Sequence, residues 1–349
     1  MQIRQLTVAA LVAGFSATAL VSIAHANPQI DVLAVTGDAT PSTDGTFDTF
    51  QSPILNGNGE VAFVSDIAGS PSTRGLFIWD TSNINRVVRL GQTAPDSNGS
   101  VASFNNVSFS NAGVGFSMDF AFTTGGNTDA RGLYVGDGSS ITTVYRQGTP
   151  TPIGTFLGGL TNRINNAGDM AFINRRPATN ENDTPFVYDA GSGTLSTVIV
   201  TGDPAPDGLG TYDVTNAAPK INDAGQVLVQ TVEFAGTPNG SADDRAMLFD
   251  DGLGLSVVVR EGAASPDMNG TVSNWSSAQL SQNGRITFEM QFTGTTGGTS
   301  DDEAIVRTNS GSLDIVARKG DPLPGGIGEI GNISGINTNE VGDVLYFTT

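Results

Sequence analysis

Past residue 26 the chain alternates short apolar runs with polar, turn-rich stretches, and no window keeps the 3.6-residue period of an amphipathic helix. Runs such as Glu60-Val-Ala-Phe-Val64 and Leu255-Ser-Val-Val-Val259 have the length of strands, and Gly, Asn, Asp, Ser and Thr fill the gaps between them. The pattern predicts an all-β chain, and it repeats. An Asn-rich turn leading into an apolar strand occurs as Asn56-Gly-Asn-Gly59-Glu-Val-Ala-Phe63 and Asn165-Asn-Ala-Gly168-Asp-Met-Ala-Phe172, both of the form N-x-x-G-x-x-A-F. Looser copies begin at Asn222, Ser281 and Asn339, with a shortened one at Asn111-Ala-Gly113, so the marker glycines fall at 59, 113, 168, 225, 284 and 342.

A second marker, Gly-x-x-x-Pro, keeps the same beat at Gly37, Gly91, Gly148, Gly202, Gly262 and Gly320. A third is an aromatic or aliphatic run closing on Asp80, Asp137, Asp189 and Asp250, whose fifth copy ends instead at Arg307. Each unit therefore holds four short strands: a runs into the Asn turn, b carries Ala-Phe, c closes on Asp, and d is Val-rich. Six such units predict a six-bladed β-propeller of four-stranded antiparallel blades, with an open β-solenoid as the alternative. An isolated d-type strand over 30–35 is expected to complete the sixth blade and leave no free edge. Only five c strands are present, so the last blade is expected to be incomplete or irregular, or the chain to be cut short at its C-terminus.

Residues 1–26 read as a secretory signal: Arg4 supplies the positive start, 6–23 is apolar, and Ala24-His25-Ala26 is a small-x-small cleavage site. The mature chain is then one domain over 27–349, placed in the secreted or cell-surface compartment. No later segment nears the roughly 20 apolar residues of a membrane span, so no transmembrane segment is expected in the mature chain. His25 is the only histidine and there is no cysteine, which excludes Ser-His-Asp and Cys-His nucleophiles, His/Cys zinc sites and disulfides. The formal net charge of −19 argues against a nucleic-acid partner.

The repeats resemble the bacterial tandem-repeat family named for its N-x-x-G-x-x-A-F motif. The likeness spans residues 30–349 and is sharpest over 56–63 and 165–172. It implies export, often with C-terminal surface sorting of the PEP-CTERM kind, and no assigned activity. This sequence ends at Thr349 without a Pro-Glu-Pro motif, apolar span or basic tail.

Antiparallel order sends the b-c and d-a links to one end of the blades, where the acidic loops gather. Ligand or cation binding is expected there, at Asp129, Asp183, Asp243, Asp244, Asp301 and Asp302, with further acids at Asp38, Asp203, Asp321, Asp96, Asp207 and Asp267. Calcium suits oxygen ligands in a chain without His or Cys, yet no D-x-[DN]-x-[DN]-G loop is present. Glycoside hydrolysis by paired carboxylates is the enzymatic alternative, although the sequence singles out no pair. Trp79 and Trp275 are candidates for stacking on sugars, and both are expected to be core. The overall expectation is a binding module, without a required cofactor, for a polysaccharide, a surface protein or cations.

Overall fold

A computed structural model describes residues 32–348 apart from 42–43, 52, 70–73, 175–183, 216–217 and 324. The expected signal peptide lies outside the described residues. No helix among the described residues is long and apolar enough to cross a membrane.

Each of the first five repeats folds into its own sheet in the order a-b-c-d, all antiparallel, and the sixth forms an antiparallel a-b pair. Blade 1 comprises Thr46–Phe50 with Ile54–Leu55 as a broken strand a, then Val61–Ala68, Arg74–Trp79 and Ile84–Arg89. Blade 2 comprises Ser100–Ser110, Gly113–Ala121, Arg131–Gly136 and Ile141–Arg146. Blade 3 has Gly159–Ile164, Met170–Asn174, Thr184–Asp189 and Thr194–Thr197, and blade 4 has Thr211–Thr215 with Lys220–Ile221, Val227–Ala235, Arg245–Asp250 and Leu255–Arg260. Blade 5 is Thr271–Leu280, Ile286–Thr293, Glu303–Asn309 and Ser312–Arg318, while blade 6 keeps only strands a, Ile333–Thr338, and b, Val344–Thr348.

Every ladder stays within one repeat, whereas a solenoid would pair strands of successive repeats side by side. Successive sheets instead meet face to face, and the core divides accordingly into five apolar clusters, one at each joint between neighbouring blades. This is the propeller architecture, with strands a and b carrying the strong contacts between blades. The marker phenylalanines Phe116, Phe172 and Phe288 are buried in these joints, at about 2 kcal/mol of transfer free energy each, while Phe63 is buried within blade 1 against Phe47 and Phe77.

The second glycine marker acquires a mechanism. At the Gly-x-x-x-Pro marker the glycine adopts positive φ, and its N–H reaches forward to a carbonyl in strand a or, at Phe156 and Ile330, just ahead of it. These bonds run from Gly37 to Phe47, Gly91 to Val101, Gly148 to Phe156, Gly202 to Tyr212, Gly262 to Val272 and Gly320 to Ile330. The six acceptor residues are all apolar and buried, so each bond seats the incoming strand in the core.

Two expectations need correction. Val32–Val35 carry no strand, and Val32 and Val35 are largely exposed, so the closing strand is not formed there; Ile30 and Asp31 lie outside the described residues. Among the described residues no strand pairing joins blade 6 to blade 1. In blade 2 the first marker position belongs to Ser110 rather than Asn111, because Ser110 Oγ takes the turn N–H of Ala112 and its carbonyl receives the Asn56 amide.

Candidate functional site

The acidic loop end is organised by a repeated arginine latch. In blades 2, 4 and 5 the guanidinium of the arginine closing strand d (Arg146, Arg260, Arg318) lies over the ring of a phenylalanine closing strand b (Phe120, Phe234, Phe292). Each donates to the backbone carbonyl of the b-c loop aspartate, at 2.9 Å to Asp129, 2.8 Å to Asp243 and 2.7 Å to Asp301. Each also pairs with the d-a loop carboxylate, Asp96, Asp207 or Asp267. Arg260 binds Asp207 through two parallel bonds of 2.8 Å, the geometry a planar guanidinium favours.

The b-c aspartates close their own loops within the shared frame T-x-x-G-x-x-D, beginning at Thr123, Thr237 and Thr295. Hydrogen bonds from Thr123 and Asn98 pull the pKa of Asp129 below the ordinary carboxylate value, and Thr295 and Asn269 do the same for Asp301. For Asp243 the donors are Thr237 and Asn239. Of the other expected residues, Asp302 pairs with Lys319 at 3.1 Å, Asp244 lies beside Arg245, and Asp183 is outside the described residues. The structure thus places Asp129, Asp243 and Asp301 in three separate blades and commits each to closing its loop, Asp129 and Asp301 also receiving Asn98 and Asn269 from the d-a links. Among the described residues no group of three or more acids is arranged to hold a metal ion.

Trp275 is 5 % exposed and its indole N–H donates to the Gln230 carbonyl, which makes it core. Trp79, on strand c of blade 1, is half-buried.

Two departures from sameness among the blades appear elsewhere. Two residues ahead of the Asn-turn marker, the inner strands carry Ile54, Ser108, Arg163, Lys220, Gln279 and Asn337. Two cations therefore occupy adjacent inner strands. Lys220 Nζ donates to the Ala278 carbonyl and, at 3.4 Å, to Gln279 Oε1. Burial, with the neighbouring Arg163 charge, pulls its pKa down to about 8. Arg163 keeps open surface, donates to the Asn162 carbonyl, and has a pKa lowered by the protein packed about it. Among the described residues neither cation has a carboxylate within ion-pair distance, whereas Arg74, Arg86, Arg89, Arg131, Arg146, Arg245, Arg260, Arg318 and Lys319 all do.

The second departure is in blade 5, where Thr287 pairs in register with Arg307 and Glu289 with Ile305. The equivalents of the first pair are Ala62/Ile78, Gly115/Val135, Ala171/Val187 and Leu228/Phe249, none of them polar. Glu289 Oε2 accepts from Ser276 and Ser277, while its Oε1, Thr287 Oγ1 and Arg307 Nε are buried without a hydrogen-bond partner in the protein. The partners of Glu289 are hydroxyls, and among the described residues no second carboxylate shares them.

Fold and latches together define a bladed repeat protein whose loops are held rigidly at one end. The chain belongs to a family of unknown function, DUF7453, whose model matches residues 4–184 and again 153–349. None of the curated proteins matches it. Among solved structures it is similar to an oligogalacturonate lyase in complex with manganese, at 10 % identity and a TM-score of 0.43, covering 81 % of this chain and 65 % of that one. It is also similar to a puromycin hydrolase, at 13 % identity and a TM-score of 0.38, covering 90 % and 43 %. A third is the β-propeller domain of the trilobed protease of Pyrococcus furiosus, at 10 % identity and a TM-score of 0.35, covering 77 % and 85 %. The chain spans less than two thirds of the length of the lyase and the hydrolase, and likenesses this remote carry no function across.

Proposed function

We propose that the protein is an exported binding module that takes an anionic ligand on its inner strands at Arg163 and Lys220. Export is supported by the leader pattern of Arg4, the apolar 6–23 and Ala24-His25-Ala26. One observation supports the site: two like charges stand on neighbouring strands without a carboxylate among the described residues, in a chain of net charge −19. Each cation disfavours the other, and an anion between them relieves that cost. At physiological ionic strength fields decay over about 8 Å, so the pair acts locally and the acidic loop end does not cancel it. The hydrolase reading finds less support, since the loop-end acids are engaged by latches and Glu289 has no carboxylate partner.

Titration calorimetry with an alginate oligomer at low and moderate ionic strength tests the proposal. The protein should bind, weakly dependent on pH below 8, and the double variant Arg163→Ala/Lys220→Ala should lose about a hundred-fold in affinity. Equal binding by the variant, or none by the parent to carboxylated and sulfated oligomers, sinks the idea.

A further inference from the structure

The b-c loops of blades 2, 4 and 5 share one frame, and one position in it departs from the pattern. The residue after strand b is Gly69 in blade 1, Gly236 in blade 4 and Gly294 in blade 5, with φ of 75°, 70° and 67°. Blade 2 has Phe122 there, at φ 58°. A bulky residue in the left-handed region is disfavoured by the contact between Cβ and the following carbonyl.

Packing does not compensate, because Phe122 is 93 % exposed. Nor does the loop require it. In blade 2, Thr124 N donates to Asn98 Oδ1 and Asn98 Nδ2 to Asp129. Blade 5 makes the same bonds from Thr296 to Asn269 and from Asn269 to Asp301, with glycine in place of the ring. A strained aromatic side chain is therefore held out from a rigid support that would be more stable without it.

We infer that Phe122 is the stacking platform of a saccharide site on the loop end, distinct from the cation pair on the inner strands. Its free face offers an apolar plane, and the same exposed loop carries the polar side chains of Thr124, whose hydroxyl bonds Asn98 Oδ1, and Asn127. An aromatic face bordered by hydroxyl and amide groups matches a pyranose, which is apolar on its C–H face and polar at its rim. Asp129, in the same loop, is held ionised and disfavours an anion there, so the sugar is neutral. A protein partner would want about 800 Å² of complementary surface with a buried apolar centre, and a single ring on a polar loop does not supply that.

The test uses the full chain with neutral cello-, malto- and manno-oligosaccharides, read by calorimetry, alongside thermal melts of Phe122→Gly and Phe122→Trp. Phe122→Gly should melt about 2 °C higher as the strain is released, and its affinity for the bound sugar should fall about ten-fold. Phe122→Trp should retain binding, and both variants should bind the alginate oligomer like the parent. Absence of binding by the parent to all three sugars, unchanged sugar binding by Phe122→Gly, or no rise in its melting temperature would each overturn the inference.

Discussion

The two ends of the blades are held in opposite ways. At the Asn-turn end the bonds run from blade to blade. Asn56 Nδ2 reaches the Ser110 carbonyl, Asn165 Nδ2 the Asn222 carbonyl, and Asn222 Nδ2 the Ser281 carbonyl. The second turn residue completes the seam: Asn166 Oδ1 accepts from Asn111 N, Asp223 Oδ1 from Asn166 N, and Gln282 Oε1 from Asp223 N. At the loop end each arginine latch ties the b-c loop of its blade to the d-a link that enters that blade. One end therefore links turn to turn from blade to blade, while at the other the latches close each blade's own loop and cross-blade bonds are made by other residues, Arg245 to the Ser273 carbonyl and Ile333 N to Glu303. Both proposed binding features fit that division: Phe122 alters one loop alone, and the cation pair spans two inner strands at the seam end.

The largest test of the contrast is to cut a latch. Arg260 is 7 % exposed, and its loss strands Asp207 and the Asp243 carbonyl while removing the contact with Phe234. Arg260→Ala should cost about 3–5 kcal/mol in urea denaturation, as breaking a buried pair does. If each latch serves its own blade, the loss of amide-exchange protection will be confined to residues 201–260. Spread into blades 3 and 5 would refute the division.

Much of this was legible in the residues, and the reasons for the rest are physical. Two glycine markers in phase were enough to find six units and four strands, because turns with positive φ leave a compositional trace. The latch left a trace too, since Arg89, Arg146, Arg260 and Arg318 all stand two residues ahead of a marker glycine, but it becomes meaningful only when the loops fold back over them. The acids attract attention as ligands on charge alone; their donors come from residues four to thirty-two positions away, as with Asn98 and Asp129 or Asn269 and Asp301. The polar trio Thr287, Glu289 and Arg307 depends on strand register, and the significance of Phe122 depends on a dihedral angle. Neither can be read from composition. The closing strand over 30–35 was inferred from its apolar pattern, which does not itself provide a partner.

A smaller effect is expected at the seam. Asn222 is 2 % exposed; its Oδ1 accepts from Ala224 N and Gln226 N, and its Nδ2 serves Gln226 and Ser281. Asn222→Ala leaves two turn amides and one carbonyl of the next blade unpaired, a loss of about 2–3 kcal/mol. Here the change in exchange protection should appear on both sides of the joint between blades 4 and 5. Confinement to blade 4 would show that the Asn turn is only a local cap.

The narrowest test is also the most specific, because it reads the seam end through one proton. Lys220 has a folded-state pKa of about 8 against an ordinary 10.5, so between these values the unfolded chain holds the extra proton. The sign follows: below pH 8 the buried charge opposes folding in full, and stability recovers as pH rises from about 8 toward 10.5. Tyr212, raised to about 12, stays protonated across that window. The difference in urea stability between the parent and Lys220→Met should therefore shrink steadily over the same interval, with the methionine variant the more stable at neutral pH. An anion bound beside Arg163 would favour charged Lys220 and move the recovery to higher pH. A difference that is flat with pH would mean that Lys220 is solvated, and the cation pair would lose the strain that makes it a site.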